Sequence, residues 1–214
     1  MKTVRICCYA LGIISLIAAV ILVLHNVMED KNSGEQAVSV LTALKEEISE
    51  YETNTSEIPE TAENDLFAEY EEPKIPEMET IEINGNLYIG YISIPDLNVE
   101  LPVMSEWSYP SLKISPCRYM GNLYADDLII CAHNYNSHFG KIKELPMGSE
   151  LIFTDVSGKS HHFIVTNSEQ LSGTEIEHMQ FDNTNDWDLT LFTCTIGGQS
   201  RVTVRAERSE DQNA

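Results

Sequence analysis

The stretch "TLFTCTIGGQSR", Thr190 to Arg201, decides how this chain reads. Threonine, leucine and phenylalanine lead into Cys194, two glycines follow, and Arg201 opens a second run, "RVTVRAE". β-Branched and aromatic residues suit a pleated, half-buried surface. Gly197 and Gly198 permit the positive φ angles of a tight connection. The pattern therefore predicts a strand ending at Cys194 and an antiparallel return strand beginning at Arg201, which brings the two residues close. A strand cysteine reads two ways. It is a small hydrophobe filling a core, or it is a nucleophile. A thiol with the reference pKa of about 8.5 is mostly protonated at neutral pH, so a nucleophile needs an acid/base partner or a nearby cation. Arg201 is a poor base because it stays protonated, but it is a suitable fixed donor to an oxyanion or a peptide carbonyl.

The imidazole must come from elsewhere, and "DLIICAHNYNSHFGKI" offers two. His133 directly follows a very apolar run, at a predicted strand end where site residues commonly project. His138 lies five residues on, at the start of a predicted helix. "HNYNSH" has no recognised zinc spacing, so no metal site is expected. His161 and His162 are adjacent, face opposite sides of a strand, and read as ordinary strand residues. His178 reads as a surface residue.

Around these residues the texture is β. "LYIGYISIPDLNVELPV", "DDLIICAH", "SELIFTD", "HHFIVTNSEQL", "WDLTLFTC" and "RVTVRAE" are short runs separated by turn signals at Gly121, Gly148, Gly158 and Gly197. At least seven strands in about 120 residues predict an all-β barrel or sandwich. Helical stretches are few, "SHFGKIKEL" and "TEIEHM". The segments "SEWSYPSLKISPCRYM" and "TNSEQLSGTEIEHMQFDNTN" are expected to form pocket walls.

The N-terminal part is different. Ile6 to Leu24 is a run of 19 residues without a charge. At about 1.5 Å per residue it matches a hydrocarbon core. It is longer than a signal-peptide apolar region and no small-x-small cleavage site follows, which favours an uncleaved anchor. Lys2 and Arg5 precede it and acids crowd the other side, so the positive-inside rule puts the N-terminus in the cytoplasm and the rest outside. The formal charge is −21, of which about −14 lies between Glu29 and Gly85. Such a balance excludes a nucleic-acid partner, because nothing would neutralise phosphates. Residues 1–28 read as cytoplasmic tip and transmembrane anchor, and 29–85 as an acidic extracellular stalk or linker holding the domain off the bilayer. Within that stalk Val38, Leu41, Leu44, Ile48 and Tyr51 allow a short helix over 35–51. Residues 86–208 form the β domain and 209–214 a polar tail. Of five cysteines, Cys117, Cys131 and Cys194 lie in that domain. The number is odd, and whether Cys117 and Cys131 pair is left open.

"TLFTC" followed by Arg201 resembles the TLxTC signature of the sortases, bacterial cysteine transpeptidases of the cell surface. Thr190, Leu191, Thr193 and Cys194 match its fixed positions, with six residues between cysteine and arginine. "ISIPDLNVELPV" is similar to the family's early strand pair, and "IICAHNYNSHFGKIKEL" to its histidine segment, with Ala132 where glycine is usual. The resemblance covers about residues 86–208. It implies an eight-stranded β-barrel with Cys194 as nucleophile, His133 as acid and then base, and Arg201 as stabiliser of the tetrahedral intermediate. Thr193 would neighbour the oxyanion site. The implied substrates are surface proteins bearing an LPxTG-type C-terminal sorting signal. The acceptor would be a cell-wall precursor or another amine, and no cofactor is needed. A thiol peptidase releasing its product to water, or a non-catalytic surface-binding barrel, are the alternatives. Only 60 residues separate His133 from Cys194, too few for the usual class B insertion, although the histidine segment is class B-like. With no Asp-Pro-aromatic lid and no second apolar segment, a single-anchor housekeeping or accessory member is expected rather than a pilin polymerase.

Overall fold

The computed structural model describes residues 2–55, 75–174 and 187–209. His178 and the "TEIEHM" stretch from Glu175 on lie outside them. The chain starts with helix α1 (Lys2–Thr55). Among the described residues nine strands follow: β1 (Ile81–Ile83), β2 (Asn86–Ile94), β3 (Val99–Met104), β4 (Cys117–Met120), β5 (Leu128–Ala132), β6 (Glu150–Asp155), β7 (Ser160–Ser172), β8 (Leu189–Cys194) and β9 (Ser200–Arg208). A single turn of helix, α2 (Tyr109–Leu112), sits between β3 and β4.

Eight strands close into a barrel. The sheet runs β2-β3-β4-β5-β8-β9-β7-β6, and β6 returns to pair with β2. Strand β1 adds a short flap on β2, outside the ring. Closure leaves the ring without unpaired edges. Gly90 makes the closure possible. It pairs with Val103 on one side and Asp155 on the other. Its φ is +141°, and a Cβ there would lie 2.1 Å from the Thr154 carbonyl oxygen, so no side chain fits.

Strand alternation sorts the side chains. Ile92, Ile130, Phe153, Phe163, Leu191 and Val204 point inward and are fully buried. The opposite face of β5 and β8 carries Ile129, Cys131 and Phe192, which pack outside the barrel against Tyr88, Met104, Cys117 and α1. Two sequence expectations change here. "SHFGKIKEL" forms only a 3-10 turn at Ile142–Glu144. The chain ahead of it coils tightly, with the Gly140 amide donating to the Tyr135 carbonyl, and a Cβ on Gly140 would come within 2.7 Å of that oxygen. The second change is β4, a strand inside a segment expected to be loop. Its four residues are too few to show a period, and it is held by pairing with β5.

Helix α1 has two unlike halves. From Ile6 to Met28 its large apolar side chains are all 51% exposed or more. This is the one helix among the described residues long and apolar enough to cross a membrane. From Ala37 to Ile48 the helix packs on the barrel, burying Ala37, Val40, Leu41, Leu44 and Ile48. The buried stripe is rotated from the one expected: Val38 and Tyr51 face outward. The expected stalk is therefore helical at least to Thr55. Its contacts with the barrel begin at Glu29 and Asp30. Leu24, where the apolar run ends, is only about 9 Å back along the helix axis.

Candidate active site

Strands β5 and β8 run parallel, with Ala132 opposite Thr193. Each strand ends within a residue of that pair, so His133 and Cys194 leave the sheet side by side. Across the β8–β9 hairpin Cys194 stands opposite Arg201 in register. The turn between them uses Gly197 at φ +92° and Gly198 at φ +71°, as the sequence pattern requires. Register thus brings the backbones of these three residues, drawn from 69 positions of chain, to one end of the barrel.

Each has a defined local setting. Cys194 is half-buried and its thiol is free. It lines an open cleft of 630 Å³ together with Asn134, Asn136, Glu144, Gln170 and Ser200. Arg201 donates to the carbonyls of Gly198 (3.0 Å) and Ser200 (3.2 Å), which fixes the guanidinium at the hairpin. His133 is half-buried and stacks on Tyr135, with ring centroids 4.9 Å apart. Burial, then the Lys113 ammonium, pushes its pKa below the ordinary value, and the Glu29 carboxylate partly opposes them. The imidazole is therefore neutral at pH 7, able to accept a proton from a neighbouring thiol.

Thr193 is buried, and its hydroxyl donates to the Ala132 carbonyl at 2.9 Å. That bond ties β8 to β5 at the last pair before His133 and Cys194. In this structure the hydroxyl is engaged there. His138 is buried as well, with its Nε2 3.0 Å from the Ser33 hydroxyl of α1. Burial, with help from His133, lowers its pKa to about 4. His161 and His162 are strand residues paired with Asp155 (2.9 Å) and Glu150 (2.8 Å), remote from Cys194 in the register. Among the described residues no cluster of three or more His, Cys, Asp or Glu could hold a metal ion.

On the outer face, Phe192 lies two residues before Cys194 and meets the Tyr119 ring edge-on at 5.2 Å. Tyr119 in turn contacts Trp107 at 5.7 Å, beside a depression of 420 Å³. An aromatic path therefore leads along the barrel surface toward the cysteine. Sequence reasoning placed Trp107 and Tyr119 in a pocket wall but assigned no residue. It missed the contribution of α1 altogether, because Asp30 and Ser137 are separated by over a hundred positions and neither has a motif.

Residues 92–209, more than half of the chain, match the family described as Sortase domain. A comparison with curated protein sequences gave no match. Among solved structures the chain is similar to sortase C1 from Streptococcus agalactiae, at 24% identity and TM-score 0.53, covering 62% of this chain and 72% of that one. It is similar also to the Clostridium perfringens sortase D5 transpeptidase, at 18% identity and TM-score 0.56, covering 82% and 99%. A third is Clostridium perfringens sortase C with the C-terminal cell wall sorting motif, at 22% identity and TM-score 0.50, covering 80% and 90%. These likenesses establish a shared barrel, and the match over residues 92–209 establishes kinship, so the chain belongs to the sortase family of cysteine transpeptidases.

Proposed function

We propose that this chain is a membrane-anchored transpeptidase that cleaves an LPxTG-type sorting signal and joins the released threonine carbonyl to a cell-wall amine. The observation that carries this reading is the parallel β5–β8 register, with His133 and Cys194 side by side and Arg201 opposite the cysteine. As the Cys194 sulfur adds to the scissile carbonyl carbon, its proton passes to His133. Arg201 donates to the oxyanion that forms. The resulting imidazolium gives the proton to the leaving glycine amine, the C–N bond breaks, and a thioester remains. The acceptor amine then attacks the thioester and loses a proton to His133, and the expelled sulfur takes that proton back from His133 as the amide forms. Protons and charge balance over the two halves, and the chemistry calls for no cofactor.

The exposed apolar half of α1, which packs on nothing among the described residues, supports the anchor. The positive-inside rule puts the barrel outside the cell, bounded approximately as 86–208, with a polar tail from 209. In this arrangement the helix seats the barrel against the bilayer surface, because its first barrel contacts follow the apolar run within about 9 Å. The likeness to a sortase solved with its sorting motif supports the peptide class.

The test uses the full-length chain in detergent with a sorting-signal peptide, with and without an amine acceptor. Ligated product with the acceptor, together with a thioester adduct found by intact mass on Cys194, is expected. Hydrolysis alone with every acceptor tried would leave a thiol peptidase instead.

A further inference from the structure

The contact between α1 and the histidine loop is too specific for simple packing. Asp30 accepts four hydrogen bonds from two consecutive residues of that loop. Its Oδ2 takes the Asn136 amide (3.1 Å) and the Asn136 side-chain Nδ2 (3.2 Å). Its Oδ1 takes the Ser137 amide (3.0 Å) and the Ser137 hydroxyl (2.6 Å), and that hydroxyl also lies 3.0 Å from the Asp30 carbonyl. One helix turn on, the Ser33 hydroxyl bonds the Lys113 carbonyl at 2.5 Å and meets His138. Directly after Ser33, Gly34 lets the helix and the loop close: a Cβ there would stand 2.9 Å from the Ser137 Cβ. Glu29 adds an ion pair to Lys113 at 3.0 Å.

The loop so gripped runs from His133 to Gly140. The Phe139 amide donates back to the His133 carbonyl at 3.4 Å, and Tyr135 stacks on both His133 and His138. Fixing Asn136 and Ser137 therefore fixes the far side of a short loop whose near side is His133. The Asp30 carboxylate is well suited to this. Burial would raise its pKa, but the bonds from Ser137 and Asn136 outweigh burial and hold it below the ordinary value, so it stays an acceptor at neutral pH.

We propose that Asp30 is a positioning residue for catalysis: by clamping Asn136 and Ser137 it sets the His133 loop against Cys194, so that the anchor helix forms part of the active site. The proposal rests on His133 acting as acid and base in the reaction above. Asp30 touches neither substrate nor sulfur, so its effect is on how often the imidazole is in line. A misplacement of about 1 Å costs up to roughly a hundredfold in rate.

The experiment compares full-length wild type, Asp30→Ala, Asp30→Asn and Gly34→Val in detergent, with Glu35→Ala as a control on the exposed side of the same helix turn. Alanine favours the helix, so Asp30→Ala does not unfold it. Expected is a fall of about tenfold or more in kcat for Asp30→Ala with KM for the sorting peptide unchanged. Asp30→Asn, which keeps one acceptor oxygen, should be intermediate. Gly34→Val should match Asp30→Ala through steric displacement, and Glu35→Ala should equal wild type. Amide hydrogen exchange at Asn136 and Ser137 should quicken in Asp30→Ala while β5 and β8 keep their protection. A kcat for Asp30→Ala within about twofold of wild type, or unchanged exchange at those amides, overturns the proposal. If wild type turns over no peptide the proposed function falls instead, and the exchange measurement still decides whether the clamp exists.

Discussion

Cys131 and Cys194 stand on neighbouring parallel strands, on the same face of the sheet, one pleat apart in register. They have unlike fates. Cys131 is 4% exposed, packed among Phe192, Cys117 and Leu171, and burial pushes its thiol pKa far above the ordinary value. Its cross-strand partner Cys117 is pushed up to about 12 for the same reason. Both carry free thiols. Cys194 is the last residue of β8 and opens onto a cleft, and register sets His133 at the end of the neighbouring strand and Arg201 opposite. On the proposed function, reactivity follows from position in the strand. The middle of the strand is covered on both faces, and its end is covered on one. A thiolate cannot be afforded where nothing solvates or pairs it.

The largest expected effect comes from exchanging roles across that comparison. Cys194→Ala and His133→Ala should each lower turnover of a sorting-signal peptide by about 10³-fold or more, at an unchanged melting temperature. Cys131→Ala should do the reverse, leaving kcat within about twofold and costing about 1 kcal/mol of stability in urea titration. A Cys131→Ala variant that is folded but inactive would break the comparison, since it would make the buried thiol part of the chemistry. Next is Arg201→Ala, with an expected loss of about 10²- to 10³-fold in kcat, the size of a removed oxyanion donor. Arg201→Lys keeps the charge but not the planar fork, and should recover only part of it.

The same contrast between strand end and buried interior separates His133 from His138, and it can be read through pH. The folded pKa of His138 is about 4, against 6.5 in the unfolded chain, so between those values the unfolded state binds more protons. Its contribution to stability is fully present above pH 6.5 and is lost as pH falls toward 4. The full difference amounts to about 3 kcal/mol. Replacing His138 by Gln removes the titration. The drop in urea stability from pH 7.5 to 4.5 should then be smaller than in wild type by about 2 kcal/mol, because other groups such as Asp155 titrate equally in both. An equal drop in the two proteins would mean that His138 does not open to water only on unfolding.

Much of this was legible in the sequence, and the reason is local chemistry. The Gly197–Gly198 turn can hardly be anything but a hairpin, so the Cys194–Arg201 pairing follows from twelve residues. The long runs at 86–104, 128–132, 150–172 and 200–208 declare strands by composition. What was not legible depends on distant partners. Strand β4 is four residues held by β5. The parallel pairing of β5 with β8, which aligns His133 with Cys194, spans a crossover through β6 and β7, and no residue pattern announces it; the resemblance implied only that the two residues act together. The acidic stretch after the apolar run reads as a spacer because Glu and Thr abound. Yet Ala37, Leu41, Leu44 and Ile48 suffice to dock it as a helix, with Asp30 meeting a loop 106 positions away. Charge density marks solvated surface but says nothing about which acids have partners.

The smallest expected effect bears on Thr193, and it tells strand tying from direct catalysis. The Thr193→Val change keeps shape and removes only the hydroxyl that donates to Ala132. That one hydrogen bond is worth about 1 kcal/mol. If the hydroxyl only ties the two strand ends together, kcat should fall no more than a few-fold, since the ladder between β5 and β8 still aligns His133 with Cys194. Thr193→Ser, which restores the donor, should then regain most of that loss. A hundredfold loss in Thr193→Val at unchanged KM would have a different cause, because no strand tie of this strength carries 2.7 kcal/mol. It would mean that the hydroxyl leaves Ala132 in the complex and turns to the oxyanion, and Thr193 would then belong with Arg201 at the end of the strand rather than with Cys131 behind it.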